Sequence, residues 1–178
     1  MNAANLVTLL RLALVPFVIQ AILDGRHTLA LALFAFAAAT DGIDGGIARR
    51  FHLATRAGAY LDPIADKCLL SGAFLALAGA RIVPWWFVII VFARDVLILV
   101  GAAILMLATT VREFRPSAWG KASTFAQSAT AVVWMTRNVL NIPVLGPLSS
   151  AMLWLCAAFT IWSGLHYTWR GLQAARIR

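Results

Sequence analysis

The chain has 178 residues, of which 62% are hydrophobic and only 12% are charged, and its mean hydropathy is +0.84. Soluble domains are less apolar, so the composition predicts an all-α integral membrane protein with one domain over residues 1–178. The net charge is +8, yet the basic residues form no run and no patch interleaved with aromatic residues. A nucleic-acid partner is therefore not expected.

Six apolar segments follow one another along the chain, each close to the ~20 residues that span a bilayer. Backbone groups in lipid must pair internally, and the runs are too long for alternating barrel strands, so each segment is predicted to be a transmembrane helix. Breakers such as Asp24-Gly25 and Arg115-Pro116-Ser117 lie between them. The predicted limits are Leu6–Leu23, Thr28–Phe51, Ala57–Ala80, Pro84–Ala108, Ala118–Leu140 and Leu145–Trp169.

The distribution of basic residues predicts the orientation. If the N-terminus is cytoplasmic, Arg26, Arg81 and Arg137 lie at outer ends, while Lys67 and Arg94 fall within segments. The inner ends then collect Arg11, Arg49, Arg50, Arg56, Arg112, Arg115, Lys121, Arg170, Arg176 and Arg178. This excess of basic residues on the inner side predicts a bacterial inner (cytoplasmic) membrane protein whose acidic cluster faces the cytoplasm.

Four of the seven acidic residues lie between positions 41 and 66, in otherwise apolar sequence. A carboxylate in a membrane costs roughly 2.5–3.5 kcal/mol even on lenient scales, so four together need compensation. Asp41 and Asp44 are three apart, and Asp62 and Asp66 are four apart, so each pair shares a helix face. The short connection makes the two helices antiparallel neighbours, and both pairs are predicted to converge on one cavity.

Hard oxygen ligands of this kind suit Mg²⁺ or Mn²⁺, and two such ions would neutralise a pyrophosphate. Arg49 would contact a phosphate at the edge of the cavity. Helix capping with salt bridges to Arg49, Arg50 and Lys67 is one alternative. An ion or proton pathway is a second alternative, because membrane carboxylates often relay ions.

The spacing D-x2-D-G-x2-A-R-x8-G-x3-D-x3-D resembles the signature of the CDP-alcohol phosphotransferase (CDP-alcohol phosphatidyltransferase) family. All eight fixed positions are filled, by Asp41, Asp44, Gly45, Ala48, Arg49, Gly58, Asp62 and Asp66. Six segments and the chain length also agree with the family. The resemblance implies a metal-dependent transferase of phospholipid biosynthesis that is a homodimer and uses CDP-diacylglycerol.

The resemblance also implies roles for these residues. Asp41, Asp44 and Asp62 would bind two divalent ions, and Asp66 would serve both as a metal ligand and as the catalytic base. The nucleotide would contact Asp44, Gly45, Ala48, Arg49, Gly58 and Asp62.

Flanking elements resemble the glycerol-phosphate branch of the family, which comprises phosphatidylglycerophosphate synthases and cardiolipin synthases. Asn5, Thr8 and Arg11 resemble its N-x2-T-x2-R element, and Gly120 to Gln127 resembles its G-K-x2-T-x2-Q element. Arg94-Asp95 is instead typical of cardiolipin synthases. We predict glycerol-3-phosphate as the acceptor, with phosphatidylglycerol as the alternative. The predicted acceptor-binding residues are Thr8, Arg11, Arg94, Arg115 and Lys121.

Overall fold

The computed structural model describes the backbone of residues 3–51, 56–108, 118–140 and 142–176. Side chains are described for residues 8–40, 64–101, 120, 122–140, 142–169 and 173. The described residues form six α-helices and no strand, which confirms the predicted all-α class. The helices are α1 (Ala3–Leu23), α2 (His27–Phe51), α3 (Arg56–Gly79), α4 (Trp85–Ala108), α5 (Ala118–Val139) and α6 (Leu145–Arg176).

The predicted limits agree with the helix bounds to within a few residues, except at the end of α6. The apolar segment ends at Trp169, but the helix continues to Arg176. The extension contains Gln173, Ala174 and Ala175, which are good helix formers outside apolar surroundings. Apolar composition therefore marks the part of α6 that suits a bilayer, and helix propensity carries the helix about two turns further.

Contacts along α1 and α3 show that these helices run parallel. Arg11 contacts Asp66, a Cβ added at Gly72 would lie 2.9 Å from Ile19 Cδ1, and one added at Gly79 would lie 3.6 Å from Leu23 Cδ2. The absence of a side chain at Gly72 therefore permits the close approach of α1. Since α2 connects the two, its C-terminal end meets the N-terminal ends of α1 and α3.

The remaining helices continue this alternation. Phe74 of α3 packs on Phe87 of α4 with ring centroids 5.2 Å apart, while Lys67 meets Asp95, so α3 and α4 are antiparallel. The indole of Trp86 stacks on Trp154 at 4.8 Å, and Arg94 reaches Ser163, so α4 and α6 are parallel. Gln127 and Trp134 of α5 bond Thr160 and Ser149 of α6, which makes that pair antiparallel. One end of the bundle thus holds the start of α1, α3 and α5 and the end of α2, α4 and α6.

The core is made of side chains contributed by every helix. Phe34, Phe74, Phe87, Leu77 and Val91 are almost fully buried. Many large apolar side chains point outward instead, including Phe17, Leu99, Phe125, Trp162 and Trp169. Within the described part of the chain, Leu145–Trp169 is long and apolar enough to cross a membrane, and Thr8–Leu23 and His27–Thr40 are shorter apolar stretches.

Two turns at the end opposite the acidic cluster have the same hydrogen-bonding pattern. After α1, Gly25 has φ 71°, and Arg26 N donates to Ala21 O at 2.9 Å. After α3, Arg81 has φ 59°, and Ile82 N donates to Leu77 O at 2.8 Å. Both are Schellman motifs, which satisfy the last helical carbonyls with a left-handed residue after the helix. Glycine adopts that conformation without steric strain, whereas an arginine adopts it only at a cost in free energy.

Arg81→Gly is expected to stabilise the fold by about 0.5–1 kcal/mol. Glycine removes the strain of a left-handed arginine, and this gain is larger than the stabilisation that the unfolded chain obtains from the greater conformational entropy of glycine. The free energy of unfolding in detergent measures the effect. Gly25→Ala is the matched control, since an added Cβ there meets nothing within 4 Å and changes conformational preference alone. It should destabilise the fold by a similar amount. Equal stability of both variants and wild type would contradict the account.

Candidate active site

The acidic pattern falls on two consecutive helices. Asp41 and Asp44 lie in the last three turns of α2, and Asp62 and Asp66 lie in the first three turns of α3. The connection, residues 52–55, lies outside the described residues, as do the side chains of 41–63. The helices therefore bring the two halves of the pattern to the same end of the bundle. Convergence of Asp41, Asp44, Gly45, Ala48, Arg49, Gly58 and Asp62 on one cavity stays a prediction.

Asp66 is the member of the pattern whose side chain the structure describes. Its Oδ1 accepts a hydrogen bond from Arg11 Nη1 at 2.6 Å, across 55 positions in sequence. The arginine side chain is 2% exposed, whereas that of Asp66 is 42% exposed. A buried cation thus holds one oxygen of a half-exposed carboxylate. Charge-assisted bonds of this length are among the stronger ones in proteins.

This pairing changes what the sequence indicated for Arg11. The sequence predicts Arg11 both as one of the inner-end charges that set the topology and as an acceptor-binding residue. It lies within the bundle beside Asp66, and Thr8, one turn earlier, is also buried. Acceptor binding by Thr8 and Arg11 stays a prediction, whereas contact between α1 and the predicted base is a feature of the fold.

The elements of α5 that resemble the glycerol-phosphate branch have structural partners. Gln127 is fully buried and donates from Nε2 to Thr160 Oγ1 at 3.3 Å. Thr124 donates to the carbonyl of Gly120 in its own helix at 3.2 Å. A Cβ at Gly120 would lie 2.8 Å from Tyr167 Oη, so this glycine allows α5 and α6 to approach closely. Two predicted acceptor-binding residues are not described by the structure: the side chain of Lys121 and the whole of Arg115.

A second group of charges joins α3, α4 and α6, and we call Lys67, Arg94, Asp95 and Ser163 the inner charge network. Asp95 Oδ1 forms an ion pair with Lys67 Nζ and accepts from Arg94 Nη1 at 3.0 Å. Arg94 Nη2 donates to Ser163 Oγ at 2.8 Å, and its Cζ lies 6.0 Å from the ring centroid of Tyr167.

Two atoms of the inner charge network lack a hydrogen-bond partner among the described residues. They are Arg94 Nε, a donor, and Asp95 Oδ2, an acceptor, and both are buried. Buried polar groups are almost always hydrogen-bonded, and those that are not call for an explanation. In a ligand with both hydroxyl and phosphate groups, a phosphate oxygen could accept from Arg94 Nε and a hydroxyl could donate to Asp95 Oδ2.

The donor chemistry of the pattern fits divalent cations. Four carboxylates, without the imidazole or thiolate that zinc and copper prefer, are typical of Mg²⁺ and Mn²⁺ sites. Among the described side chains, no group of three His, Cys, Asp or Glu gathers. Three of the four aspartates lie outside those side chains, and Asp66 lies within them.

Sequence reasoning identified some of these contacts and missed others. Arg94, a predicted acceptor-binding residue, forms an ion pair with Asp95, its neighbour in sequence. Lys67 was considered as a partner of the aspartate pattern, but it pairs with Asp95 of α4. Its position within an apolar segment was the available signal, because charges in a membrane usually pair. Which charge it meets depends on how α3 and α4 pack.

The chain is similar both to proteins named as phosphatidylglycerophosphate synthases and to proteins named as cardiolipin synthases. The chain is 36% identical, over 97% of its length and 82% of the relative, to a probable phosphatidylglycerophosphate synthase of Mycobacterium tuberculosis. It is 32% identical, over 98% of both chains, to the CDP-diacylglycerol–glycerol-3-phosphate 3-phosphatidyltransferase of Bacillus subtilis. It is also 30% identical, over 95% of its length and 78% of the relative, to a putative cardiolipin synthase of M. tuberculosis.

The family described as CDP-alcohol phosphatidyltransferase matches residues 1–162, a range that includes the whole aspartate pattern and, of the inner charge network, Lys67, Arg94 and Asp95. The chain belongs to this family, and the resemblance seen in the sequence is thereby confirmed. It is a membrane-associated transferase of phospholipid biosynthesis.

Proposed function

We propose that this protein transfers the phosphatidyl group from CDP-diacylglycerol to glycerol-3-phosphate, forming phosphatidylglycerophosphate and releasing CMP. The observation that carries the proposal is similarity over almost the full length of both chains to the B. subtilis enzyme named for this reaction. The complete aspartate pattern, divided between α2 and α3, supports the same chemistry.

The proposal places all six helices in the bacterial inner membrane, with the aspartate end facing the cytoplasm and a second copy completing a homodimer. Two observations support the membrane placement. Leu145–Trp169 suits a bilayer by length and composition, and large apolar side chains face outward on each helix. The excess of basic residues at the aspartate end supports the orientation. Water-soluble acceptor and CMP would then enter and leave on the cytoplasmic side.

The reaction in this proposal is one displacement at phosphorus. The acceptor hydroxyl oxygen forms a bond to the lipid-bearing phosphorus, and the bond from that phosphorus to the bridging oxygen of CMP breaks. Asp66 takes the hydroxyl proton as general base. Arg11, bonded to one oxygen of Asp66, holds this half-exposed carboxylate in place for the acceptor. Gly45, Ala48 and Gly58 leave room for the nucleotide, and Arg49 contacts its phosphates.

Two Mg²⁺ or Mn²⁺ ions would be held by Asp41, Asp44 and Asp62, with Asp66 serving both as a metal ligand and as the base. When bound, such ions neutralise the pyrophosphate and the charge that develops on the leaving oxygen. The residues themselves supply hard oxygen donors on two neighbouring helices, which is the donor set these ions prefer. The same set explains why four acids occur together in so apolar a chain.

Phosphatidylglycerol is the second candidate acceptor, and its product would be cardiolipin. Arg94-Asp95 favours it, since this dipeptide resembles that of cardiolipin synthases, and the putative cardiolipin synthase of M. tuberculosis is among the relatives. A carboxylate-lined ion pathway is a remote alternative, because it leaves the Gly and Ala positions of the pattern and Arg49 unexplained.

Release of CMP is expected with glycerol-3-phosphate in a purified, detergent-solubilised assay that contains CDP-diacylglycerol and Mn²⁺. Parallel reactions receive phosphatidylglycerol, inositol phosphate or serine. CMP that depends on phosphatidylglycerol alone would replace the acceptor but keep the chemistry. Absence of CMP with every acceptor, together with ion flux in liposomes, would overturn the proposal in favour of transport.

A further inference from the structure

The inner charge network carries one net positive charge. Asp95 is 12% exposed and Arg94 is 9% exposed, whereas the side chain of Lys67 is 38% exposed. A pair made of Arg94 and Asp95 alone would be neutral and would attract an anion only weakly. Lys67 offsets the charge of the carboxylate, so the positive charge of Arg94 can still attract an anion. The difference in attraction between a neutral pair and a group with one net positive charge is large in surroundings of low dielectric constant.

The network also fixes how Arg94 is oriented. Its guanidinium is held by Asp95 on one side and by Ser163 on the other, at 3.0 and 2.8 Å. Gly164 brings α6 close to the stem of Arg94, because an added Cβ would lie 3.5 Å from its Cγ. A guanidinium held at both terminal nitrogens has little rotational freedom left. Its Nε, buried and without an acceptor in the described part of the chain, therefore has a fixed direction.

The network lies beside the residue proposed as the base. Lys67 directly follows Asp66 on α3, and Asp95 links that turn of α3 to α4 through Lys67. Ser163 and Tyr167 lie in the half of α6 that ends at the aspartate end of the bundle. The place, the charge and the unsatisfied donor all favour an anionic, hydroxylated ligand.

Resting on the proposed function, we propose that Lys67 and Asp95 are positioning residues that set the charge and the direction of Arg94, and thereby determine the affinity for an anionic acceptor. Asp95 shares one oxygen between the two cations and so orders them. Lys67 prevents that carboxylate from cancelling the charge of Arg94. The two residues act on acceptor binding and not on the nucleotide.

Lys67→Met keeps the length of the side chain and removes its charge. It is expected to raise KM for glycerol-3-phosphate about tenfold, since one charge in a half-buried site contributes on that order. KM for CDP-diacylglycerol should not change. Lys67→Arg should restore the acceptor KM. Asp95→Asn should also raise the acceptor KM because both cations lose their shared partner, and Asp95→Glu should recover part of it.

The double variant Lys67→Met with Asp95→Asn tests whether the two act through one element. The fold-increase of its acceptor KM should be smaller than the product of the two single fold-increases, because the effects of coupled residues are not additive. Ser163→Ala is a milder variant that leaves all charges in place. It should raise the acceptor KM about threefold, because Arg94 loses one hydrogen bond that orients it and keeps the bond to Asp95.

Arg137→Gln is the matched control. Arg137 is a cation that also bonds a serine of α6, Ser149 Oγ at 3.0 Å, and lies 5.0 Å from the ring of Trp134. Ser149 and Ser163 are 14 positions apart on α6, roughly 21 Å along the helix, so the control changes charge at the opposite end. Its acceptor KM should match wild type.

Three results would overturn the proposal. A lower acceptor KM in Asp95→Asn would mean that the carboxylate only competes with the acceptor. An unchanged acceptor KM in Lys67→Met and Ser163→Ala would remove the network from acceptor binding. Equal increases of KM for both substrates would indicate a general disturbance of packing. Failure of the wild-type protein to release CMP with any anionic acceptor would instead contradict the proposed function itself. Binding of glycerol-3-phosphate by calorimetry gives the same comparison for a variant that folds but turns over too slowly.

Discussion

Asp66→Asn is expected to lower the rate of CMP release about 10²–10⁴-fold, the usual contribution of a general base, while nucleotide affinity stays largely intact. The amide keeps the shape of the side chain but cannot take a proton from the acceptor hydroxyl. The measurement is CMP release under saturating substrates, combined with calorimetric binding of the nucleotide. Wild-type rates in this variant would refute the assignment of Asp66 as the base.

The ion pair with Arg11 makes a stability control necessary. Removing the charge of Asp66 takes a carboxylate at 2.6 Å away from the buried guanidinium of Arg11, and a buried charge that loses an ionic partner is costly. Thermal unfolding in detergent separates loss of folded protein from loss of catalysis. Asp24→Asn is the matched variant, since Asp24 is an exposed acid in the turn between α1 and α2. It should leave the rate of CMP release unchanged.

Asp41→Ala and Asp62→Ala are expected to weaken the binding of Mn²⁺ and of the nucleotide together, each by at least about tenfold. Even partners of metal ligands contribute 10–100-fold to metal affinity, so loss of a ligand should cost no less. Nucleotide affinity falls with it, because the ions offset the repulsion between the carboxylates and the pyrophosphate. Titration with Mn²⁺ followed by electron paramagnetic resonance, and calorimetry with the nucleotide, report the two effects separately.

The control for these variants removes an acid from the same chain without touching the pattern. Asp24→Ala should bind Mn²⁺ and nucleotide as the wild type does. If Asp41→Ala or Asp62→Ala left both affinities unchanged, those residues would not belong to the site. Loss of nucleotide affinity with intact metal binding would assign the residue to the nucleotide alone.

Much of the fold followed from the sequence for physical reasons that act locally. Long apolar runs interrupted by Gly, Pro and Asp predicted six helices, and the helix bounds agree closely, because unpaired backbone groups are too costly in apolar surroundings. The apolar segment Leu145–Trp169 agrees with the part of α6 that is long and apolar enough to cross a membrane, whereas the helix continues to Arg176 because helix propensity persists where hydropathy falls. The left-handed Arg81 was not predicted either, because its conformation is imposed by the Schellman turn.

The sequence by itself determined the family chemistry of this protein, because eight residues at fixed spacing specify a carboxylate set that few other chemistries require. It also determined that α2 and α3 bring the two halves of that set to one end. Only the tertiary structure decided the long-range charge pairs: Arg11 with Asp66, and Lys67 with Asp95. Spacing along one helix defines a face, but the partner of a buried charge depends on which helix packs against that face, and that is settled by the packing of the whole bundle.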